Sequence, residues 1–405
     1  MNLDELRIPY GAYWSTPFVR WQGSFSQLHS MRFAADTAKK VLASKQIPLE
    51  AIDHAVLGIT VPQEKSFWGV PWLMSLVGAP TVSGPTISQA CATSARCLAA
   101  AASDLALGDA NASLIMTCDR TSNSPVLLHP NPAAASGAPA VENWVLDNFR
   151  EDPNARVGMV DTAENCARDW QISTQEQHEV VLRRRQQYQD AVKDNHAFQR
   201  RYMPLPFDVP DARFKKSNTQ ISGDEGIHPT TAEGLAKLKP VTEGGTVTYG
   251  GQTHPADGNA GMMVVKADRA ESFTAEPNID IRIGGFGQAR ERPAYMPAAP
   301  VKAVRRALES ANLSITDIDV IKSHNPFAVN DLVFARETGV DVMSMNNFGC
   351  SLIYGHPQGP TGLRAIIELI EELVMRGGGR GLFHGCAAGD TAMAVVIEVN
   401  GTRRS

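Results

Sequence analysis

Residues 81–102 read TVSGPTISQACATSARCLAAAA and place a cysteine between a strand pattern and a helix pattern. The first part, TVSGPTIS, is rich in β-branched and apolar residues, which is typical of a strand. The second part, ATSARCLAAAA, is rich in alanine and predicts a helix that runs to about Leu107. Gly108 is well suited to end that helix. The sequence therefore predicts a strand-to-helix turn that carries Cys91 at the start of the helix.

The position of Cys91 favours a nucleophile. The dipole and the free N–H groups of a helix N-terminus stabilise a thiolate, which makes the sulfur more reactive at neutral pH. Most free cysteines, however, are small buried apolar residues with no chemical role. The position alone leaves both interpretations open.

The two ends of the chain share one pattern. A helix-like stretch from Ser30, SMRFAADTAKKVLASKQ, leads to PLEAIDHAVLGITV, and a later stretch, APVKAVRRALESANL, leads to SITDIDVIKSHNPF. A second helix follows in each half, and in the later half we expect it over about Thr361 to Met375, before Gly377–Gly379. Repetition on this scale indicates the duplication of a whole domain. Strands that alternate with helices predict layered α/β halves with largely parallel sheets.

The middle of the chain has a different texture. A stretch rich in proline and alanine, HPNPAAASGAPA, precedes a charged helix, STQEQHEVVLRRRQQYQDAVKD, and then loop-like sequence. We interpret this region as an insertion that lies over the first half. The predicted boundaries are 1–123 and 254–275 for the first half, 124–253 for the insertion and 276–405 for the second half. The basic run Arg183–Arg185 is predicted to be a solvated face of the helix, with a phosphate contact as the alternative.

Composition limits the class of protein. A chain of 405 residues exceeds one ordinary core, and its 43% hydrophobic and 20% charged residues are typical of globular proteins. The net charge of −5 gives no sign of the basic surface that nucleic-acid binding requires. The six cysteines form no CxxC pair, so no metal site is predicted.

The N-terminus and the hydropathy pattern bear on the compartment. MNLDELRIPYG has no apolar secretory core, and no apolar run reaches membrane-spanning length. We therefore expect a cytoplasmic protein with free thiols and no membrane or nucleic-acid partner.

His356 and Cys386 are further candidates for catalysis. His356 lies in LIYGHPQGPTG, at the place in the second half that Cys91 has in the first. A pseudo-twofold axis brings the two helix starts together, so that His356 accepts the proton of Cys91. Cys386 lies in HGCAAGD between two apolar strands, where small neighbours leave backbone N–H groups accessible and a thiol can act as acid or base. A structural histidine in a turn and a core cysteine are the alternatives.

His324 and Asn325 end another strand in KSHNPFAVND. Either side chain can hold a water or donate a hydrogen bond to an oxyanion. An ordinary turn before a helix, marked by Asn-Pro, explains the same residues without catalysis.

Taken in order, these elements resemble the thiolase family over nearly the whole chain. TAENCARDWQISTQEQHEVVLRR resembles the helix of its loop domain, TAEGLAKLKPVTEGGTVTYGGQTHPADGNAG its return to the core, and NNFGCSLIYGHPQGPTG its histidine signature. The resemblance implies an α/β thiolase fold, a duplicated five-layered α-β-α-β-α architecture with an inserted loop domain.

The resemblance also implies roles for the candidates. Cys91 is similar to the nucleophile that accepts the acyl group, His356 to the histidine that activates it, and Cys386 to the acid/base cysteine. His324 occupies the place of the usual oxyanion-hole asparagine. Coenzyme A is then a substrate, and no covalently bound cofactor is expected. The positions expected around the coenzyme A thioester are Met159, Thr253, Asn325, Phe327 and Ala388.

Departures from the family pattern point to the substrate. Residues 324–327 read HNPF where most members have Asn-Glu-Ala-Phe, which is closer to the His-Asp-Cys-Phe variant of sterol-carrier-type thiolases. Gly158 stands where short-chain biosynthetic members carry a histidine. These changes predict a bulky, branched, aromatic or carboxylated 3-oxoacyl-CoA, as in a benzoylsuccinyl-CoA thiolase, instead of acetoacetyl-CoA.

Other functions and partners stay open at this point. A ketosynthase would need histidine or asparagine at Cys386, an aldolase-like relative can dispense with Cys91, and a non-catalytic acyl-CoA-binding subunit needs neither thiol. The resemblance implies a homodimer or a dimer of dimers and allows a small zinc-containing OB-fold partner. The aromatic run 67–72, FWGVPW, is a candidate interface for that partner, with core or dimer packing as the favoured alternative.

Overall fold

The computed structural model describes residues 3–401. Within this range the strands of the two large sheets are β1 Leu6–Arg7, β2 Tyr13–Ser15, β3 Val19–Arg20, β4 His54–Gly58, β5 Thr86–Ile87, β6 Ala112–Arg120, β11 Ala256–Lys266, β12 Asp280–Arg290, β13 Val320–His324, β14 Gly379–Ala387 and β15 Thr391–Asn400. The short strands between β6 and β11 are β7 Val126–His129, β8 Ala140–Asn143, β9 Phe207–Pro210 and β10 Ser217–Ile221. The helices are α1 Ser30–Ser44, α2 Gly69–Val77, α3 Thr93–Leu107, α4 Leu146–Arg150, α5 Met159–Asp169, α6 Thr174–His196, α7 Ala232–Leu235, α8 Ala299–Ser310, α9 Ala328–Thr338, α10 Ser351–Tyr354 and α11 Gly359–Arg376.

Each half of the chain builds one mixed sheet. The first has the order β1-β11-β6-β4-β5, with β2 and β3 also paired to β11, and the second has the order β12-β15-β14-β13. Only the β4–β5, β4–β6 and β13–β14 pairs within these two sheets are parallel. The prediction of largely parallel sheets is therefore wrong. The physical reason is that each half closes with a strand that returns antiparallel, β11 against β6 and β15 against β14.

The two sheets enclose α3 and α11. Helix α3 packs on β4 and β6, α11 packs on β13 and β14, and the two helices contact each other. Helices α1 and α2 cover the outer face of the first sheet, and α8 covers that of the second. The result is five layers in the order α-β-α-β-α, so the predicted fold class is confirmed.

The predicted helices agree closely with the structure, whereas one predicted strand does not. Helix α1 begins at Ser30, α3 ends at a left-handed Gly108 and α11 ends at a left-handed Gly377. In TVSGPTIS, only Thr86 and Ile87 form a strand. That segment lies at the edge of the sheet, where it pairs with β4 alone.

The insertion contacts both halves. Helices α5 and α6 pack against α9, and α6 also packs against α10, all in the second half. The ring of Phe207 in β9 lies edge-on to Phe25 and Phe33 of the first half. The expectation that the insertion lies over the first half is therefore wrong for its two long helices.

The hydropathy of the helices and the exposure of two aromatic rings bear on membrane and partner contacts. Among residues 3–401, no helix is both long enough and apolar enough to cross a membrane. Phe67 is 91% exposed and Trp68 is 64% exposed, so these two rings are not part of the core of this chain.

Candidate active site

A strained turn places Cys91 at the start of α3. Ala90 has φ of +44°, a left-handed conformation that costs free energy for any residue with a Cβ atom. The chain bends there, and Cys91 follows two residues before α3 begins at Thr93. The Ser94 hydroxyl donates to the carbonyl oxygen of Gly359, which fixes the start of α3 against the start of α11.

His356 lies in the turn before α11 and meets Cys91. Its Nε2 is 3.1 Å from Cys91 Sγ, and its Nδ1 is 2.6 Å from Thr361 Oγ1. When Nδ1–H donates to Thr361, Nε2 is left free to accept the proton of the thiol. The prediction that the two helix starts bring these side chains together is confirmed.

Burial disfavours the charged forms of both side chains in this pair. Burial raises the pKa of Cys91 to about 12, although the backbone N–H of Ala388 donates to the sulfur and acts in the opposite direction. Burial, followed by the neighbouring His324, lowers the pKa of His356 well below its usual range. Backbone N–H groups favour the thiolate, as the sequence predicts, but desolvation acts more strongly in the opposite direction.

His324 lies directly against His356. The two rings stack with centroids 4.0 Å apart, and His324 Nδ1 is 2.9 Å from Ser351 Oγ. His324 is fully buried, which lowers its pKa to about 3 and keeps it neutral. Its Nε2 has no hydrogen-bond partner among the described residues. This nitrogen therefore has unused hydrogen-bonding capacity beside His356.

Asn325, which the sequence predicts to lie near coenzyme A, does not line the cavity beside Cys91. Asn325 is fully buried, and its Nδ2 donates to Asp331 at 2.7 Å and to Cys350 Sγ at 3.3 Å. Its Oδ1 accepts the backbone N–H of Leu352. Through these contacts the side-chain amide of Asn325 stabilises the turn that follows His324.

Cys386 is a buried thiol in β14 with one side-chain hydrogen bond. Asn330 Nδ2 donates to Cys386 Sγ at 3.2 Å, while Asn330 Oδ1 accepts the N–H of Phe327 at 3.2 Å. Burial, and then the nearby Cys91, raises the pKa of Cys386 well above its usual range, and the Asn330 amide opposes this. Sequence reasoning missed Asn330. Its position three residues after Phe327, at the start of a helix, is the signal of a capping residue.

A cavity of about 620 Å³ opens above Cys91 and His356. Of the positions expected around coenzyme A, four line it: Met159, Thr253, Phe327 and Ala388. Thr253 is held in place on both sides, since its hydroxyl donates to the Ser351 carbonyl and its N–H donates to the Pro326 carbonyl. Gly158 also lines the cavity.

The insertion supplies much of the wall. The apolar members that sequence reasoning missed are Trp144, Val145, Phe149, Val160 and, from the second half, Met296. The insertion also contributes polar side chains to this lining, among them Glu142, Asn148 and Arg150. They were missed because the surrounding sequence has no regular pattern that would assign them to a surface.

Family models match both halves of the chain. Residues 12–268 match the model described as the thiolase N-terminal domain, and residues 278–399 match the model of the thiolase C-terminal domain. The chain belongs to the thiolase family. Thiolases are acyltransferases that use coenzyme A as a substrate, and this member is an enzyme of that class.

Similar thiolases are found among curated proteins and solved structures. The β-ketothiolase BktB of Cupriavidus necator is 27% identical over 384 residues, which cover 93% of this chain and 95% of that protein. The β-ketoadipyl-CoA thiolase of Pseudomonas knackmussii is 28% identical over 395 residues, covering 95% and 96%. The crystal structure of human mitochondrial 3-ketoacyl-CoA thiolase matches with a TM-score of 0.87 and 25% identity, covering 97% of this thiolase and 98% of that chain.

Proposed function

We propose that this thiolase cleaves a 3-oxoacyl-CoA with free coenzyme A, or forms it by the reverse Claisen condensation, through an acyl group carried on Cys91. The observation that carries the proposal is the 3.1 Å contact between Cys91 Sγ and His356 Nε2 at the base of the cavity. Cys386 lies close behind Cys91 as a second thiol.

The first step uses the neutral pair. As the Cys91 sulfur attacks the 3-oxo carbon, its proton passes to His356 Nε2, so that charge develops only when substrate is present. The backbone N–H of Ala388 is at the sulfur and is placed to donate to the oxygen that becomes negative.

The second step breaks the Cα–Cβ bond. The departing acyl-CoA leaves as an enolate whose thioester oxygen accepts hydrogen bonds from Nε2 of His356 and of His324. Cys386, protonated at rest because burial raises its pKa, gives its proton to the carbon. The resulting thiolate takes the proton of the incoming coenzyme A thiol. The coenzyme A sulfur then attacks the acyl group and displaces the Cys91 sulfur, which takes back its proton from His356.

The cavity supports an acyl group larger than acetoacetyl. Trp144, Phe149 and Met159 offer apolar surface, and Gly158 adds no side chain to the lining. Arg150 lines the same cavity, where its guanidinium can receive an acidic acyl terminus. The relative from Pseudomonas knackmussii is named for the β-ketoadipyl group, which ends in a carboxylate. We therefore place the substrate among aromatic or carboxylated 3-oxoacyl-CoA thioesters.

The assembly and compartment form part of the same proposal. We infer a cytoplasmic homodimer or dimer of dimers, since β5 is a sheet edge that no further strand of residues 3–401 covers. The exposed rings of Phe67 and Trp68 are a candidate surface for a small zinc-containing OB-fold partner.

The test is a panel of 3-oxoacyl-CoA thioesters, from acetoacetyl to aromatic and carboxylated chains, incubated with the purified chain and coenzyme A. Acyl-CoA products are followed by mass spectrometry. Cleavage confined to bulky members supports the proposed substrate class. Faster cleavage of acetoacetyl-CoA than of every bulky member contradicts it.

Cys91→Ala tests the nucleophile. We expect the rate of thiolysis to fall at least about a thousandfold, because the covalent route is lost. Cys97→Ala is the matched control, since Cys97 is a buried thiol on α3 outside the cavity lining. Comparable turnover in the two variants would remove Cys91 from the mechanism.

A further inference from the structure

Asp119, near the end of β6, is a fully buried carboxylate to which the proposed reaction assigns no role. Its Oδ1 accepts the backbone N–H groups of Thr60 and Val61, each at 2.8 Å. Its Oδ2 accepts the Thr60 hydroxyl and the backbone N–H of Gly359, again at 2.8 Å each. Four donors therefore converge on one side chain, which is the number that an ionised carboxylate can accept.

These donors belong to two different sides of the active site. Thr60 follows β4 and lines the cavity, and its carbonyl oxygen accepts the indole N–H of Trp144 at 2.8 Å. Gly359 is the first residue of α11 and lies three residues after His356. Asp119 therefore connects the apolar wall of the cavity to the turn that carries the base.

The turn that carries His356 depends on this connection. Gln358 has φ of +62° and ψ of −102°, a conformation that costs free energy and persists only with support from the surroundings. A Cβ atom on Gly359 would lie 2.7 Å from Asp119 Oδ2, so glycine is what lets the N–H approach the carboxylate. Thr361 fixes the imidazole by its contact with Nδ1 at 2.6 Å. A displacement of Gly359 would therefore move the base and the side chain that orients it.

The arrangement of donors requires a carboxylate. An asparagine at position 119 would keep one oxygen for the N–H groups of Thr60 and Val61. Its NH2 group would then face the Thr60 hydroxyl, which can accept, and the Gly359 N–H, which cannot. Loss of the negative charge thus releases the start of α11 in particular. A protonated Asp119 weakens the same contact, because its proton points to the Thr60 hydroxyl.

We propose that Asp119 is a positioning residue for the reaction, whose carboxylate holds the start of α11 and thereby keeps the His356 imidazole at the Cys91 sulfur. Asp119 does not itself line the cavity, so it acts through His356 and not on the substrate. This inference rests on the proposed thiolysis. It predicts that the rate of the chemical step depends on Asp119 more than substrate binding does.

Asp119 is also the group of the site that changes charge near neutral pH. Burial raises the pKa of Asp119 to about 7, although the N–H groups that it accepts act in the opposite direction. Burial raises the pKa values of the neighbouring thiols, Cys91, Cys97 and Cys118, and the Asp119 carboxylate raises them further. Burial lowers the pKa of His356 well below its usual range. We therefore expect kcat to fall as the pH drops below about 7, where Asp119 takes up a proton.

Asp119→Asn tests the anchor. We expect kcat for thiolysis to fall about 10- to 100-fold and KM to change less than about threefold, because the cavity lining is unchanged. The acid limb of the pH profile should disappear with the titrating group. Asp257→Asn is the matched control, since Asp257 is a fully buried carboxylate of the neighbouring strand β11 that accepts the Ser122 N–H outside the cavity lining. It should lower Tm comparably and leave kcat and the acid limb unchanged.

Thr60→Val is a milder second variant that keeps the carboxylate and removes one of its donors. The Thr60 hydroxyl lowers the pKa of Asp119, so its loss should raise that pKa and move the acid limb of kcat to higher pH. On the alkaline side of the limb, kcat should stay within about threefold of the wild-type value.

The proposal is overturned if Asp119→Asn loses no more kcat than Asp257→Asn, or if the pH profiles of Asp119→Asn and the wild type run parallel. If the wild-type chain cleaves no member of the substrate panel, the proposed function fails, and carboxamidomethylation of Cys91 tests Asp119 in its place. Loss of the nearby charge lowers the pKa of Cys91, so alkylation at neutral pH should be about two- to tenfold faster in Asp119→Asn. Equal alkylation rates in the wild type and both aspartate variants would then overturn the proposal.

Discussion

At Cys91, burial and hydrogen bonding act in opposite directions on one sulfur atom. The N–H of Ala388 favours the thiolate, whereas the loss of water favours the thiol and dominates. His356 is neutral for the same reason. We therefore expect both side chains of this pair to be neutral before substrate arrives.

The pH dependence of Cys91 alkylation follows from this. Since burial raises the pKa of Cys91 to about 12, the thiolate fraction grows as pH rises throughout the working range. We expect the rate of carboxamidomethylation of Cys91, measured by peptide mass spectrometry, to rise about tenfold per pH unit between about pH 6 and 9. A rate that is already constant at the acid end would show a thiolate–imidazolium pair instead. Cys91→Ala identifies any labelling at other thiols.

Asn330 is the side chain that lowers the proton affinity of Cys386. Its amide orientation is fixed, because Oδ1 accepts the Phe327 N–H and only Nδ2 remains to face the sulfur. A hydrogen bond to an ionised partner contributes about 1.5–3 kcal/mol. Asn330 therefore reduces the free-energy cost of the thiolate form of Cys386, although burial still dominates.

Asn330→Asp separates this effect from the helix cap. The aspartate keeps an oxygen for the Phe327 N–H but replaces the amide donor by an anion, so the pKa of Cys386 rises further. We expect exchange of the α-hydrogens of acyl-CoA into deuterated water, measured by NMR, to slow about 10- to 100-fold. Acylation of Cys91 should change much less. Equal losses in the two half-reactions would assign Asn330 a merely structural role.

Helix α6 carries a buried charge within a sequence pattern that predicts an exposed helix face. Arg183–Arg185 was predicted to be a solvated face, but Arg184 is fully buried and pairs with Asp331 of α9 at 3.0 Å. Its guanidinium also donates to the carbonyls of Val342 and Met345. The insertion is thereby attached to the helix that follows the HNPF turn.

Arg184→Ala should reduce the free energy of unfolding by about 3–5 kcal/mol, because it leaves the Asp331 carboxylate buried without its cation. Chemical denaturation measures this change. Lys193→Ala on the same helix removes an exposed pair with Asp190 and should cost less than about 1 kcal/mol. Similar losses in the two variants would mean that the buried pair adds nothing beyond a surface contact.

On the scale of the whole molecule, the contact between α3 and α11 sets the distance between nucleophile and base. A Cβ atom on Gly362 of α11 would lie 3.0 Å from Ser94 Cβ of α3 and 3.1 Å from Phe383 Cζ. Glycine therefore allows the two helices to approach closely, one from each half of the chain. Cys91 and His356 stand at the starts of these same helices.

Gly362→Ala tests this arrangement. The added methyl group should push the helices apart by a few tenths of an ångström, and we expect kcat to fall about tenfold with a small loss in Tm. Stopped-flow acylation of Cys91 and thermal unfolding measure the two effects. Gly234→Ala in the exposed helix α7 is the control and should leave kcat unchanged. If kcat is unaffected in Gly362→Ala, the helix contact does not control the site.

Much of the fold and of the reacting centre was predictable from local signals. The helix patterns and their terminal glycines predicted α1, α3 and α11, and the repeated order of elements predicted that Cys91 and His356 would meet. The strand TVSGPTIS and the parallel sheets were predicted wrongly, because edge position and strand direction depend on which partner is available. Trp144 and Phe149 of the cavity wall were missed, because they lie in sequence without a regular period.

The sequence by itself determined the helices, the duplication and the candidate reacting groups, since these depend on residue type and spacing along the chain. Tertiary structure alone determined the desolvation of Cys91 and His356, the buried pairing of Arg184, the donor from Asn330 and the unpartnered nitrogen of His324. Each of these depends on how completely water is removed from a group and on which distant atom replaces it. No local sequence pattern predicts this burial or these partners, because the partners come from elements far apart in the chain.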